Sequence, residues 1–353
     1  MEKLIVQGGK PLRGSVKVGG AKNAIGKMLM ASLLTEEEVV LNNIPLNQET
    51  DITIELCRKI GSEISVDDHS ISIRTPNIKS SRVPELTRKN RISILSLGPL
   101  LARAGEVEVP MVGGDNIGPR PVDFHIAALE KMGAEIEVRS STIFAKTKSL
   151  HGANIILPYP SVGATENTIL ASVLAKGDTL IENAATEPEI TDLVKLLQKM
   201  GAIIEFGANR RVYIEGVSRL HGAVHSLLPD RIEAASFAVM ALATDGDILV
   251  EGADQDHIIT FLNTVRRLGG EYRVEENGIR FFRAGELKPV HVETDTHPGF
   301  ATDWQQPLTV LLTQAKGTSI VHETVYEDRF GYADDLKKMG ADIEIVTKCL
   351  GDV

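Results

Sequence analysis

The sequence contains few cysteines and few aromatic side chains. Among 353 residues there are two cysteines, and aromatic residues make up 4% of the chain. Two cysteines are too few for a disulfide scaffold, and neither Cys57 nor Cys349 lies in a spacing typical of a metal site. A reducing compartment is therefore the simplest expectation. The low aromatic content predicts a core packed mainly with aliphatic side chains.

An excess of basic residues and long apolar segments are also lacking. The formal net charge is -10, which disfavours a non-specific nucleic-acid-binding protein. The N-terminal residues lack the apolar segment of a signal peptide, and no apolar run is long enough to span a membrane. We therefore expect a cytoplasmic protein without nucleic-acid or membrane partners. An anionic substrate remains compatible with this charge, because a few cations in a cleft can hold phosphates.

A pattern recurs five times along the chain: a helical stretch ends at an apolar residue and a glycine, and an alternating strand follows. These glycines stand at intervals of 72, 68, 68 and 71 residues, at Gly61, Gly133, Gly201, Gly269 and Gly340. A second pattern runs in phase, in which a polar turn and a strand follow an apolar helix, as at residues 176–181, 245–250 and 316–321. The sequence therefore predicts an α/β fold of units of about 70 residues, each βαβαββ.

One unit shows the physical basis of the pattern. Apolar residues at helical spacing predict a helix over 192–200, and Gly201 suits the left-handed position that ends it. Residues 203–206 and 212–215 are expected to form a hairpin around a turn at 207–210.

The fifth unit is incomplete. Its first strand is expected at 343–346, and a sixth glycine would fall near residue ~410, beyond Val353. We therefore expect a fragment or a chain completed by a partner, because the strand edge would otherwise be exposed. The alternative is a five-unit fold that closes in some other way.

Several polar residues lie where they can bind anions or move protons. Lys22 follows Gly19-Gly20-Ala21 at a helix start, although such glycines often form only a turn. Asp115 lies in a loop with three glycines and is a candidate gated acid or base. Arg120 in the same loop offers a fork of donors for phosphate. The alternative is a solvated loop with Asp123 as a helix cap.

Two further segments offer similar chemistry. Ser161, the backbone amides after it and a helix N-terminus are candidates for a diphosphate site, or Ser161 is an ordinary cap. Asp303 opens a helix as either a base or a cap. Arg329 binds a carboxylate or pairs with Asp328. His125 and His297 do not form a metal-ligand spacing, and no Walker loop, Rossmann fingerprint or zinc spacing is present, so no cofactor is expected.

On this repeat, Lys22-Asn23, the loop 113–125, residues 161–167 and Thr302-Asp303 together resemble the enolpyruvyl transferase family. The resemblance covers essentially the whole chain and is to the branch whose acceptor is UDP-N-acetylglucosamine. It implies two domains, each an inside-out barrel of three units, with substrates in the cleft. Residues 20–228 would form one complete domain. Residues 1–19 and 229–353 would form the second, with five units present in all and the sixth missing.

The resemblance also implies the reaction. The enolpyruvyl group of phosphoenolpyruvate is transferred to the 3-hydroxyl of UDP-N-acetylglucosamine and phosphate is released, in peptidoglycan precursor synthesis. That places the protein in cell-wall biogenesis, and so in cell shape, the cell cycle and cell division. The sequence does not indicate an oligomeric state.

The resemblance assigns roles to single residues. Asp115 would be the acid and Asp303 the base. Lys22, Arg91 and Arg120 would hold phosphoenolpyruvate, and Arg329 would stabilise charge. The sugar would contact Asn23, Asp303 and Val325. The uridine diphosphate would contact Arg120, Pro121, Val122, Asp123, His125, Ser161, Val162 and Gly163.

The chain departs from the family at a few points. Most members carry cysteine where this chain has Asp115, and many carry lysine where it has Tyr159. The sixth unit would supply an Asp-Leu-Arg motif and a later arginine, so activity of these 353 residues alone is open. A non-catalytic paralogue that binds a UDP-sugar or a protein partner and a five-unit structural protein are the alternatives. The joint presence of Lys22, Arg91, Arg120 and Asp303 favours the enzyme.

Overall fold

The computed structural model describes residues 3, 5, 7–83, 91–111 and 121–347. The strands are β1 (Arg13–Lys17), β2 (Val39–Asn42), β3 (Glu63–Asp67), β4 (Ser70–Arg74), β5 (Glu106–Pro110), β6 (Glu135–Val138), β7 (Thr142–Lys146), β8 (Asn154–Ile156), β9 (Asp178–Glu182), β10 (Ile203–Gly207), β11 (Arg211–Glu215), β12 (Ala223–Ser226), β13 (Asp247–Glu251), β14 (Gly270–Glu275), β15 (Gly278–Arg283), β16 (His291–Glu293) and β17 (Ile320–His322).

The α-helices are α1 (Lys22–Ser32), α2 (Gln48–Ile60), α3 (Leu97–Ala104), α4 (Asp123–Lys131), α5 (Val162–Ser172), α6 (Pro188–Lys199), α7 (Arg231–Ala243), α8 (Ile259–Arg267), α9 (Gln305–Leu312) and α10 (Ala333–Lys338). Three short 3-10 helices cover Ile92–Ser96, Gln255–His257 and Thr302–Trp304. The expected mixed α/β class is therefore confirmed. Within the described ranges, no helix has the length and apolar character needed to cross a bilayer.

The chain divides into two compact units. The first unit contains the described residues from 19 to 111 and from 121 to 230. The second unit contains the described residues up to 18 and those from 231 onward.

The first unit has three sheets, with strand orders β12-β2-β4-β3, β5-β7-β6 and β10-β11-β9-β8. Each sheet contains an antiparallel hairpin, and β12 joins β2 in parallel with Ala223 opposite Val39. Residues 24–32 of α1 and 164–172 of α5 are all buried. These buried stretches consist mainly of apolar and small residues, as suits the interior of the unit, although each also contains a buried charged residue, Lys27 in α1 and Glu166 in α5. The buried core of this unit consists of aliphatic, methionine and cysteine side chains, as the low aromatic content predicted.

The second unit has a four-stranded sheet, β1-β13-β15-β14, and the parallel pair β16-β17. Helix α7 packs against β13, β15 and α9. The core of the second unit includes three aromatic residues. The ring centroid of Trp304 lies 5.7 Å from that of Phe261 and 5.4 Å from that of Phe300. This group anchors the 3-10 helix Thr302–Trp304 in the core, because Trp304 is buried.

The local predictions for the best-patterned unit are confirmed. Helix α6 ends at Lys199, Gly201 has a φ of +99°, and β10 and β11 form the hairpin. The other four glycines of the repeat pattern also have positive φ. The strand predicted at 343–346 is wrong: these residues do not form a strand in the structure. Alternation alone does not make a strand, because its backbone groups need a neighbour, and no described strand pairs with this segment.

Candidate active site

Helix α1 begins at Lys22, as predicted, and its first amide is already engaged. The carboxylate of Asp230 accepts the backbone N–H of Lys22 at 2.8 Å. The side chain of Lys22 is more than half exposed, and its Nζ lies 3.9 Å from Oε2 of Glu49. Asn23 follows on the same turn and is half-buried. The start of α1 therefore presents the exposed ammonium group of Lys22 beside the side-chain amide of Asn23. Asp230 accepts the first N–H of the helix.

Arg91 lies just before the 3-10 helix Ile92–Ser96, and its side chain acts on two buried groups. Its charge lowers the pKa of His125 on α4 and opposes the rise in the pKa of Glu166 on α5. Arg91 therefore stands near the start of both helices, whose first turns carry other predicted site residues.

His125 is buried, and its environment fixes it as a neutral ring. Its Nδ1 lies 3.2 Å from Nδ2 of Asn167. That amide is oriented by two other contacts, since Nδ2 donates to the carbonyl of Ile94 and Oδ1 accepts from the N–H of Gly98. Because Nδ2 is a donor, Nδ1 must accept and the ring proton lies on Nε2. Burial, and after it the charge of Arg91, lowers the pKa of His125 to about 4, while Asp123 opposes the shift.

The start of α5 is the predicted diphosphate segment. Ser161 caps the helix, because its Oγ accepts the N–H of Ala164 at 3.3 Å. Gly163 packs against His125 so closely that a Cβ there would lie 3.1 Å from two ring atoms. The ring of His125 therefore packs directly against the first turn of α5.

Pro121 and Asp123 are exposed at the start of α4, and Val122 is the residue before the helix. Asp123 is thus the first residue of α4 and Val122 holds the cap position, so the alternative in which Asp123 is a plain helix cap is not what the structure shows.

Lys27 and Glu166 form an ion pair that sequence reasoning missed. The pair joins α1 to α5, and both side chains are almost fully buried. Burial raises the pKa of Glu166, and Lys27 and Arg91 offset part of that rise. A signal was available: Lys27 and Glu166 are charged residues within stretches of mainly apolar and small residues, and a buried charge needs a partner.

In the second unit, Asp303 lies within the 3-10 helix and forms an ion pair with the guanidinium of Arg329, whose side chain is 10% exposed. The sequence offered Asp328 as a partner of Arg329, whereas the ion-pair partner in the structure is Asp303. Gln306, with its amide oxygen toward the guanidinium, accepts from Nε of Arg329 at 2.8 Å and from Nη2 at 3.2 Å. The carboxylate of Asp303 is therefore oriented by a guanidinium that is itself held in place.

Val325 is positioned by Glu323. The carboxylate of Glu323 accepts the N–H of Val325 at 2.9 Å and that of Tyr326 at 3.2 Å, and its other oxygen accepts from Thr302 Oγ1 at 2.7 Å. Glu323 thus ties the turn at Val325 to the residue before Asp303. Sequence reasoning did not find it, because a glutamate after a strand usually indicates only a solvated turn.

Two predicted site residues, Asp115 and Arg120, lie outside the described residues, as does Cys349. Cys57 is buried, and burial raises the pKa of its thiol to about 12. Across the ranges that the structure covers, no group of three or more histidine, cysteine, aspartate or glutamate side chains is arranged to hold a metal ion.

Comparisons with known proteins bear on what this site does. Residues 6–350 match the family described as EPSP synthase (3-phosphoshikimate 1-carboxyvinyltransferase). Over an alignment 361 positions long, the chain is 50% identical to the UDP-N-acetylglucosamine 1-carboxyvinyltransferase of Protochlamydia amoebophila. The alignment covers 99% of this chain and 78% of that protein. The chain is 48% identical to the same-named protein of Chlamydia muridarum, covering 99% of this chain and 80% of that protein.

Solved structures share the fold at lower identity. The enolpyruvyl transferase NikO from Streptomyces tendae superposes with a TM-score of 0.84 at 21% identity, covering 94% of this chain and 79% of that chain. EPSP synthase from Acinetobacter baumannii gives a TM-score of 0.75 at 20% identity, covering 95% and 80%. At such identities the likeness concerns the fold alone.

Proposed function

The chain belongs to the EPSP synthase family of enolpyruvyl transferases, and from this we infer that it transfers the enolpyruvyl group of phosphoenolpyruvate to UDP-N-acetylglucosamine. The observation that carries the choice of acceptor is the match of nearly the whole chain to the curated chlamydial proteins of that name. The two groups of side chains at helix starts, one in each unit, supply the charges that such a reaction needs.

Proton transfer and charge stabilisation are the chemical demands of the reaction. An acid, assigned to Asp115, protonates C3 of phosphoenolpyruvate. The 3-hydroxyl of the sugar attacks C2 and gives its proton to a base, assigned to Asp303. The resulting tetrahedral ketal loses a proton from C3 and its C–O bond to phosphate breaks, which regenerates the double bond and releases phosphate.

Each of the two substrates has its own proposed contacts. Lys22, Arg91 and Arg120 hold phosphoenolpyruvate through its charges. Asn23, Asp303 and Val325 hold the sugar, and the uridine diphosphate contacts residues 120–123 and 161–163. The pairing with Arg329 supports the assignment of Asp303 to the site, because it fixes the orientation of that carboxylate. His125 is kept as a proposed substrate contact, and its ring packs against Gly163 of the diphosphate segment.

We assign the two units to the two domains of this family, residues 20–228 and residues 1–19 with 229–353. The fully buried helices and half-exposed strands of the first unit support an inside-out barrel of three repeats. The product of the proposed reaction is a peptidoglycan precursor, made in the cytoplasm.

The test is phosphate release from phosphoenolpyruvate by the purified chain, with and without UDP-N-acetylglucosamine. We expect release that requires the sugar nucleotide, disappears in Asp115→Ala and persists in Asp67→Ala, which alters an exposed strand residue. Sugar-nucleotide binding without release in the unaltered chain would instead support a non-catalytic role, and release independent of the sugar nucleotide would contradict the acceptor.

A further inference from the structure

Helix α1 has no cap of its own, although it carries two of the proposed substrate contacts. The residue before it, Ala21, is extended with φ -61° and ψ 117° and makes no side-chain hydrogen bond to the helix. The first N–H groups of any helix lack partners within the helix, and serine, threonine, aspartate or asparagine at the cap usually satisfies one of them. At α1 this acceptor has to come from elsewhere.

Asp230 provides it from 208 positions away in the sequence. Its carboxylate accepts the N–H of Lys22, the first residue of the helix, at 2.8 Å. A negative charge at this end also interacts favourably with the helix dipole. Asp230 is therefore a remote cap of the helix that begins with a proposed ligand of phosphoenolpyruvate.

The backbone around Asp230 leaves little room for this contact to shift. Residues 19–21 run antiparallel to residues 228–230: the N–H of Ala21 donates to the carbonyl of Leu228, and the N–H of Asp230 donates to the carbonyl of Gly19, each at 2.9 Å. Gly20 bridges Pro229 at the centre. A Cβ on Gly20 would lie 1.6 Å from the carbonyl oxygen of Asn43, so only glycine fits. The paired segments hold the carboxylate over the amide of Lys22.

The side chain of Lys22, by contrast, is weakly held. It is exposed, and its contact with Glu49 at 3.9 Å is at the outer limit of an ion pair. A flexible ammonium group reaches a fixed point only if its backbone is fixed, because an exposed lysine side chain samples many rotamers. The position of the backbone of Lys22 consequently determines where its charge can be delivered.

We propose that Asp230 is a positioning residue for substrate binding, which holds the first turn of α1 so that Lys22 can reach the anion of phosphoenolpyruvate. The role rests on the proposed function, because it concerns how that substrate is held. Asp230 acts through Lys22 and does not itself contact the substrate.

Steady-state kinetics test the role. Asp230→Ala is expected to raise the KM for phosphoenolpyruvate about fivefold to tenfold with a smaller change in kcat, the size of effect that a lost cap has on a local equilibrium. Asp230→Asn keeps an oxygen acceptor and is expected to stay within about twofold of the unaltered chain. Asp254→Ala is the matched control, because Asp254 likewise accepts a helix-start N–H, that of Asp256, at 2.9 Å in a segment without proposed ligands.

A rescue variant separates positioning from a general loss of stability. Ala21→Ser in the Asp230→Ala background supplies a cap within the helix itself and is expected to recover much of the KM. A recovery in denaturation midpoint without recovery in KM would contradict the proposal, as would an unchanged KM in Asp230→Ala.

Amide hydrogen exchange and calorimetric titration with phosphoenolpyruvate complete the test without requiring turnover. In Asp230→Ala, the amide of Lys22 is expected to exchange faster and phosphoenolpyruvate to bind more weakly than in Asp254→Ala. If the unaltered chain releases no phosphate, the proposed function fails. The exchange and binding results then still decide the role of Asp230, and equal affinity in the two variants overturns it.

Discussion

Acidification is expected to destabilise the first unit through His125. Burial and the charge of Arg91 lower the pKa of this ring from the ordinary 6.5 to about 4, and Asp123 only partly opposes them. When the pH falls below 6.5, the unfolded chain takes up a proton that the folded chain refuses, so folding loses stability. The contribution is complete above pH 6.5 and is lost progressively as the pH falls toward 4.

The magnitude follows from the two pKa values. A difference of about 2.5 units corresponds to about 3 kcal/mol in full, of which about 2 kcal/mol is lost between pH 7 and pH 5. Burial is the first cause of this difference and the charge of Arg91 the second. The contact with Asn167 also disfavours protonation, because it would place a second donor at Nδ1, opposite the Nδ2 donor.

Urea denaturation at pH 7 and pH 5 measures this effect. His125→Gln removes the titrating ring, so the variant is expected to lose about 2 kcal/mol less than the unaltered chain over that interval. His291→Gln is the control, because His291 is exposed, and its pH dependence should match that of the unaltered chain. Equal losses for the unaltered chain and His125→Gln would refute the reasoning, since the buried ring would then be taking up its proton in the folded state.

Three further outcomes are expected. Lys27→Met leaves Glu166 buried without its ion-pair partner and should lower the free energy of unfolding by about 3–5 kcal/mol, measured by urea denaturation. Gly20→Ala places a methyl group against the carbonyl of Asn43 and should cost about 3 kcal/mol or more by the same assay. Fosfomycin should not inactivate the chain over time, because Asp115 is a poorer nucleophile toward an epoxide than the thiolate common at this position.

Each outcome has a matched control. Lys27→Met with Glu166→Leu replaces the pair by apolar groups and should recover most of the loss, so a double variant as unstable as Lys27→Met would contradict the account. Gly285→Ala adds a methyl group that meets nothing within 4 Å and should be nearly neutral. Asp115→Cys should gain time-dependent inactivation by fosfomycin, and inactivation of the unaltered chain would contradict the third expectation.

The sequence predicted local structure well where one segment carries the whole cause. The helix that ends before Gly201 and the hairpin after it depend on apolar spacing and one left-handed glycine, all within a short window. The strand expected at 343–346 failed because pairing is a property of two segments, and alternation in one segment does not supply the other.

The sequence predicted which residues belong to the candidate site much better than it predicted the contacts between them. Lys22 and Ser161 were found at helix starts because glycines and polar residues mark such positions. The carboxylate on the amide of Lys22 was not predictable, because Asp230 is 208 positions away in the sequence. The neutral state of His125 likewise depends on burial, which the sequence of α4 alone does not determine.

The parallel pairing of β2 with β12 bears on synthesis of the chain. Val39 lies opposite Ala223, so 184 residues must be added before β2 obtains its second neighbour. At ~5–20 residues per second, a ribosome needs about 10–40 s for this. Until then one edge of this strand lacks its partner strand, and an unpaired strand edge is a site of aggregation. Three consecutive acidic residues, Glu36, Glu37 and Glu38, directly precede the strand, and charges beside such a segment oppose aggregation. In the finished fold, Glu37 accepts the N–H of Gly222 at 2.9 Å. The acidic residues before β2 therefore also contact the residue that directly precedes β12.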